Sequence, residues 1–230
     1  MSFPWPLLNR IIDGGRGAFL AVFPALRSRI GNPADAESPL RAELFSSEQM
    51  VQHGKALAAA HELASGRRPD QLLTRLADNE HALVEASRRL TTAVTENRRI
   101  TPAGEWLLDN FYLIEEQIRT ARRHLPRGYS VGLPRLASGP SAGQPRVYDL
   151  MLEIVSHGDG RVDAEELRRF IAAYQTVSAL KLGELWAILI MLRLALVESL
   201  RRTSARPAEF ARSSAPTTSR PITWKKISRQ

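Results

Sequence analysis

The chain reads as an all-α protein: a multi-helix bundle with long antiparallel helices and a disordered basic C-terminal tail. Three observations predict this. Apolar residues recur at spacings of three and four from Leu40 to about Thr203. Helix-start chemistry stands ahead of several of those runs. No period-two strand run of any length and no internal repeat occurs. Residues 1–38 form a leader, partly helical or disordered, residues 39–203 the helical domain, and residues 204–230 the tail.

In the leader, Leu8, Ile12, Phe19, Val22, Phe23, Leu26 and Ile30 could share a helix face, but Gly14, Gly15, Gly17 and Pro24 interrupt it. The same mixture of apolar residues and arginine suits an interfacial membrane helix; a weakly ordered leader is the simpler expectation. Met1 to Arg10 has no basic stretch ahead of an apolar one and does not read as a signal peptide. Gly31 to Pro39 is a linker by its turn chemistry.

Ser46-Ser47-Glu48-Gln49 matches a capping box and predicts a helix through His61 or Ala64, ended by Gly66. Pro69 and Asp70 open a long helix to about Asn97, with Leu72, Leu73, Leu76, Leu83, Val84, Leu90 and Val94 near the 3.6-residue period. Thr101-Pro102 supplies a hydroxyl N-cap and a proline at the first helical position. The helix it starts carries Trp106, Asn110, Phe111, Ile114, Ile118 and Ala121 as one stripe, opposite Glu115, Glu116, Arg119 and Arg123. Arg122, Arg123 and His124 suit the negative end of its dipole. Pro126 to Pro145 is a loop of about twenty residues, a length that marks either function or a wrapped connection. Helices recur at Arg146–Ser156, Ala164–Gln175 and Leu182–Thr203. The faces Trp106/Phe111/Ile114 and Trp186/Leu189/Arg193 are expected to form the core.

Leu182 to Leu200 is apolar nearly all round, which fits either a bundle's central helix or a membrane span. Its Leu, Ile and Val residues contribute roughly −3 to −6 kcal/mol to insertion, whereas a central Arg193 costs roughly 2.5 to 3.5 kcal/mol. A buried helix whose Arg193 finds a carboxylate or water is the expectation.

Composition excludes several classes. With no cysteine there is no disulfide framework, Cys-ligated zinc, iron–sulfur cluster or thiol nucleophile. The net charge is +8, but from Thr203 onward six basic residues face Glu209 alone, so the tail holds most of it. A nucleic-acid-binding domain concentrates charge on a folded face, so no nucleic acid partner is expected.

Motifs for chemistry are weak. Asp159-Gly160-Arg161-Val162-Asp163-Ala164-Glu165-Glu166 resembles the second half of a calcium loop, but Val155 and His157 stand where carboxylates are needed. The plainer expectation is a turn in which Asp163 caps the following helix. His53, His61, His81, His124 and His157 form no H-E-x-x-H pair and read as scattered. Gly139-Pro140-Ser141-Ala142-Gly143 imitates a nucleophile elbow without the strand or helix it needs. There is no P-loop and no G-x-G-x-x-G. No catalytic, cofactor-binding or metal-ligating residue is therefore expected, and no cofactor.

Four segments taken together carry more information. They are Pro39-Leu40-Arg41-Ala42-Glu43-Leu44-Phe45-Ser46; Ile100-Thr101-Pro102-Ala103-Gly104-Glu105-Trp106-Leu107-Leu108-Asp109-Asn110-Phe111; Leu125-Pro126-Arg127-Gly128-Tyr129 running on through Leu133-Pro134-Arg135-Leu136 and Gly143-Gln144-Pro145-Arg146-Val147-Tyr148; and Gly183-Glu184-Leu185-Trp186-Ala187 with Leu192-Arg193-Leu194 and Val197-Glu198-Ser199-Leu200-Arg201-Arg202. In order and spacing this resembles the N-terminal region of the cyclic β-1,2-glucan synthases of Gram-negative bacteria, from about Pro39 to Arg202.

The resemblance implies a large inner-membrane protein that builds periplasmic cyclic glucan from UDP-glucose, with its glycosyltransferase and phosphorylase-like domains beyond the matched region. Neither a D-x-D pair nor a Q-x-x-R-W motif occurs in this chain, so no catalytic residue carries over. Lys181 replaces the family's threonine ahead of the Gly-Glu-Leu-Trp segment, losing an N-cap, and the tyrosine pair after Arg-Gly is reduced to Tyr129-Ser130. The similarity ends after Arg202, as in a truncated copy or fragment.

The expected function is a non-catalytic N-terminal helical module of a synthase of this kind, without activity of its own. Its expected partners are the transferase part of the synthase or the inner-membrane surface, and its location cytoplasmic, at that membrane. The alternative is an independent helical adaptor or membrane-surface-binding protein using the basic tail on anionic lipid.

Overall fold

The computed structural model describes residues 44–66, 69–158 and 162–204. The leader at 1–38, the tail beyond Ser204 and residues 159–161 of the calcium-loop resemblance lie outside them. Among the described residues the protein is all-α, with helices α1 (Ser47–Ala60), α2 (Leu72–Thr95), α3 (Pro102–Asp109), α4 (Phe111–His124), α5 (Arg146–His157), α6 (Ala164–Gln175) and α7 (Leu182–Ser204).

The caps form as their chemistry dictates. Gln49 N–H donates to Ser46 Oγ at 3.3 Å and Ser46 N–H to Gln49 Oε1 at 2.8 Å, the reciprocal capping box. α1 stops at Ala60, short of Gly66, because His61 takes an extended backbone. Asp70 Oδ1 accepts the Leu72 N–H at 3.1 Å and starts α2. On α2 the buried side is Leu72, Leu76, Asn79, Leu83, Leu90 and Ala93. Val94 was expected on that stripe but is exposed, because Ala93 continues the row from Leu90.

Thr101 Oγ1 accepts the Gly104 N–H at 3.2 Å and Pro102 opens α3. The single helix expected from Thr101 is corrected to two. Asn110, at φ −109° and ψ 10°, divides them, and its Nδ2 donates to the Trp106 carbonyl at 2.8 Å. A short amide side chain competing for helix carbonyls favours such a break. The stripe survives the division, with Leu107, Ile114, Ile118 and Ala121 buried and Trp106 and Phe111 packed at its edge.

Pro126 to Pro145 is a wrapped connection. Gly128, at φ 78°, turns the chain into a 3-10 turn over Tyr129–Gly132. Ala64 N–H donates to Arg135 O and Ala137 N–H to Glu62 O, each at 2.8 Å, pairing the loop with the segment after α1. The buried Arg135 guanidinium donates to Gly143 O and Ser130 Oγ, both at 2.8 Å, and Ser130 Oγ donates to Asp70 Oδ1 at 2.7 Å. Most of the loop is exposed or half-buried, and these bonds anchor its buried points, Ser130, Arg135 and Leu136, to the helical body.

α5 and α7 are buried on most of their circumference and pack along one another at the centre of the bundle. α1 packs on α6, while α2 and α4 pack on α7. α1 approaches α6 closely at Gly54, where an added Cβ would stand 3.1 Å from Phe170 Cδ2. The core face assigned to α7 is corrected. Trp186 is 55% exposed, while buried residues, Ala187, Ile188, Met191, Leu194 and Ala195 among them, run round most of the helix. α5, α2 and α4 pack on α7 and cover most of it, which leaves its bulkiest residue at the rim. Among the described residues no helix is long and apolar enough to cross a membrane.

Candidate functional site

Two buried charge clusters hold the central helices. At the start of α5, Arg146 Nε and Nη2 donate to Glu184 of α7 at 2.6 and 2.8 Å, Nη1 to Ser178 Oγ at 2.9 Å and Nη2 to Ala179 O at 2.7 Å. The Glu184 hydrogen bond raises the Arg146 pKa against the opposing effect of burial. Glu184 Oε2 also accepts the Lys181 N–H at 2.8 Å. The half of the N-terminal cap that Lys181 lacks a hydroxyl for is thus replaced by a carboxylate reaching back.

Near the end of α7, Glu198 accepts from Arg75 Nη2 at 2.8 Å, Asn79 Nδ2 at 2.8 Å and Arg202 Nε at 3.0 Å. Burial alone would raise its pKa; the hydrogen bonds and charge of Arg75, with Asn79 and Arg202, outweigh that and hold it at about 2. Both clusters are closed: the carboxylates are 0% and 1% exposed, so neither offers a substrate a free oxygen. His61 is similarly engaged, with Nδ1 2.9 Å from the Tyr174 hydroxyl and Nε2 3.1 Å from Asp149 Oδ2.

Arg193 differs. Among the described residues its buried Nε has no hydrogen-bond partner, and burial lowers its pKa. Of the carboxylate or water expected for it, no ion pair with a carboxylate forms among the described residues. It shares one side of α7 with Leu182, Trp186 and Leu189, of which Leu182 and Trp186 are exposed and Leu189 half-buried.

The second group facing solvent lies where α1 meets α5. Glu153 Oε2 stands 2.7 Å from His53 Nε2 and 3.4 Å from His157 Nε2. Phe45 stacks flat on the His157 ring at 4.0 Å and meets His53 edge-on at 5.2 Å. The Phe45 N–H donates to His157 O at 3.2 Å, fixing the entry of α1 beside the end of α5. An open groove of about 710 Å³ adjoins, lined by Phe45, Glu48, Gln49, Gln52, His53 and Arg169 among others.

Sequence reasoning read these histidines as scattered. Glu153 and His157 are one helical turn apart, a weak signal by itself, and His53 comes from 100 positions away. In the part of the calcium-loop resemblance that is described, Asp163 caps α6, its Oδ1 accepting the Glu165 N–H at 2.7 Å, and Glu166 accepts from Ser47 Oγ at 3.4 Å.

Comparison with known proteins bears out the resemblance seen in the four segments. The chain is 34% identical over 173 residues to the cyclic beta-(1,2)-glucan synthase NdvB of Rhizobium meliloti (strain 1021). The matched stretch is 75% of this chain and 6% of that protein, so the chain spans a small part of its relative's length. No protein-family model matches the chain.

Proposed function

We propose that this chain is a non-catalytic helical module of cyclic β-1,2-glucan synthase type that packs against, or regulates, a transferase domain at the cytoplasmic side of the inner membrane. The observation that carries this reading is the 34% identity to a glucan synthase over three quarters of the chain. The closed state of both buried carboxylate clusters supports a structural role for them. Glucosyl transfer from UDP-glucose would belong to the partner domain.

The face assigned to that partner is the α7 side with Leu182, Trp186, Leu189 and Arg193. A guanidinium half out of water and without an ion-pair partner among the described residues is costly, and a carboxylate on an apolar partner helix would offset that cost. The test is binding of the purified chain to the transferase domain of a related synthase, measured by calorimetry. Binding should be saturable, and Arg193→Glu or Trp186→Ala should weaken it at least about tenfold, as for residues central to an interface. Equal binding by both variants would remove the face. Turnover of UDP-glucose by the purified chain would remove the non-catalytic reading.

A further inference from the structure

We infer that His53, Glu153 and His157 form a binding site for a divalent first-row transition metal, with zinc the best fit, which clips α1 to α5. One ring nitrogen of each histidine and one carboxylate oxygen lie within 4.8 Å of one another, and both histidines face Glu153 Oε2 through Nε2. Two histidines with one carboxylate is a donor set that such metals take, whereas magnesium and calcium prefer all-oxygen sites.

The distances suit a metal. Bonds of about 2.0–2.1 Å in tetrahedral geometry place ligand atoms about 3.3 Å apart. Glu153 Oε2 and His157 Nε2 are already at 3.4 Å. His53 Nε2 and Glu153 Oε2, at 2.7 Å, must separate by about 0.6 Å to reach that spacing. Both side chains are about a quarter exposed, which leaves room for that adjustment.

The surroundings hold the rings in place. Phe45 covers the His157 ring and abuts His53, and the hydrogen bond from Phe45 to the His157 carbonyl keeps that cover in register. Three protein ligands leave at least one coordination position for water, as in zinc sites that are not purely structural. Since His53 also lines the groove beside α1, a ligand entering there would meet the metal's neighbourhood first. The inference is independent of the glucan synthase reading: a metal clip would hold in a module with any partner.

The experiment uses the full chain, stripped with a chelator and titrated with zinc chloride by calorimetry, alongside magnesium chloride. We expect uptake of one zinc per chain, none of magnesium, and a rise in melting temperature with zinc. His53→Ala, His157→Ala and Glu153→Gln should each weaken zinc at least about tenfold, the smallest loss typical even of outer-shell changes. His81→Ala and His124→Ala, outside the cluster, should bind as the parent does. Cobalt substitution should give visible absorption bands that the cluster variants lose. Circular dichroism at each variant's working temperature distinguishes loss of ligand from loss of fold. Absence of one-to-one zinc uptake, or uptake unchanged by both His53→Ala and Glu153→Gln in folded protein, would reduce the cluster to a hydrogen-bonded one and overturn the inference.

Discussion

Replacing Glu198 by glutamine tests the clamp that ties α2 to the end of α7. The carboxylate is 1% exposed and accepts from Arg75, Asn79 and Arg202. Its folded pKa of about 2 lies below the ordinary value of 4.5, so the folded state favours the ionised form. That difference corresponds to about 3 kcal/mol of stability at neutral pH. The contribution is fully present above pH 4.5 and is lost as pH falls through about 2; roughly 2 kcal/mol of it is gone by pH 3. Glutamine keeps the shape but meets the arginine donors with an NH2 group, so Glu198→Gln should cost about 2–4 kcal/mol at pH 7. Urea unfolding followed by circular dichroism at pH 7 and pH 3, on parent and variant, measures both quantities. The gap between the two proteins should shrink by about 2 kcal/mol at the lower pH. A variant within about 0.5 kcal/mol of the parent at pH 7, or a gap that does not narrow on acidification, would refute the reasoning.

Arg146→Met should cost about 3–5 kcal/mol by leaving Glu184 buried without its charge partner, and Arg146→Met combined with Glu184→Leu should recover most of that, by chemical denaturation. Thr101→Ala removes a hydroxyl cap and should cost about 1 kcal/mol in the same assay. Gly54→Val should destabilise by about 1–3 kcal/mol, since the new side chain meets the Phe170 ring and backbone where α1 crosses α6. Trp186→Ala, by contrast, should shift stability by no more than about 0.5 kcal/mol, because that side chain is mostly in water.

Much of the fold was legible in local chemistry. Ser46 with Gln49, Thr101 with Pro102, and Asp163 ahead of α6 are caps whose partners lie within a few residues, and each forms as read. The core face of α7 was not legible. A helix apolar all round gives no periodic clue to which side packs, and Trp186 went to the rim. The division at Asn110 was also missed, since apolar spacing continues unbroken across it and the signal is one amide competing for a carbonyl.

The candidate site lay further from view. Its three ligand atoms belong to residues separated by 100 positions on α1 and α5, and no local pattern states that those helices touch. The same holds for Arg146 with Glu184 and for Arg75 with Glu198.

By itself the sequence determined that the described part of the chain is helical, where most helices begin, and which protein it resembles, because capping, turn chemistry and periodicity act over a few residues. The tertiary structure decided which faces close on one another, which buried carboxylates Arg146 and Arg75 meet, that the Arg193 Nε is buried without a partner among the described residues, and that two histidines and a glutamate converge. Those outcomes depend on packing between helices distant in the chain, where each side chain's environment is set by residues it does not neighbour in sequence.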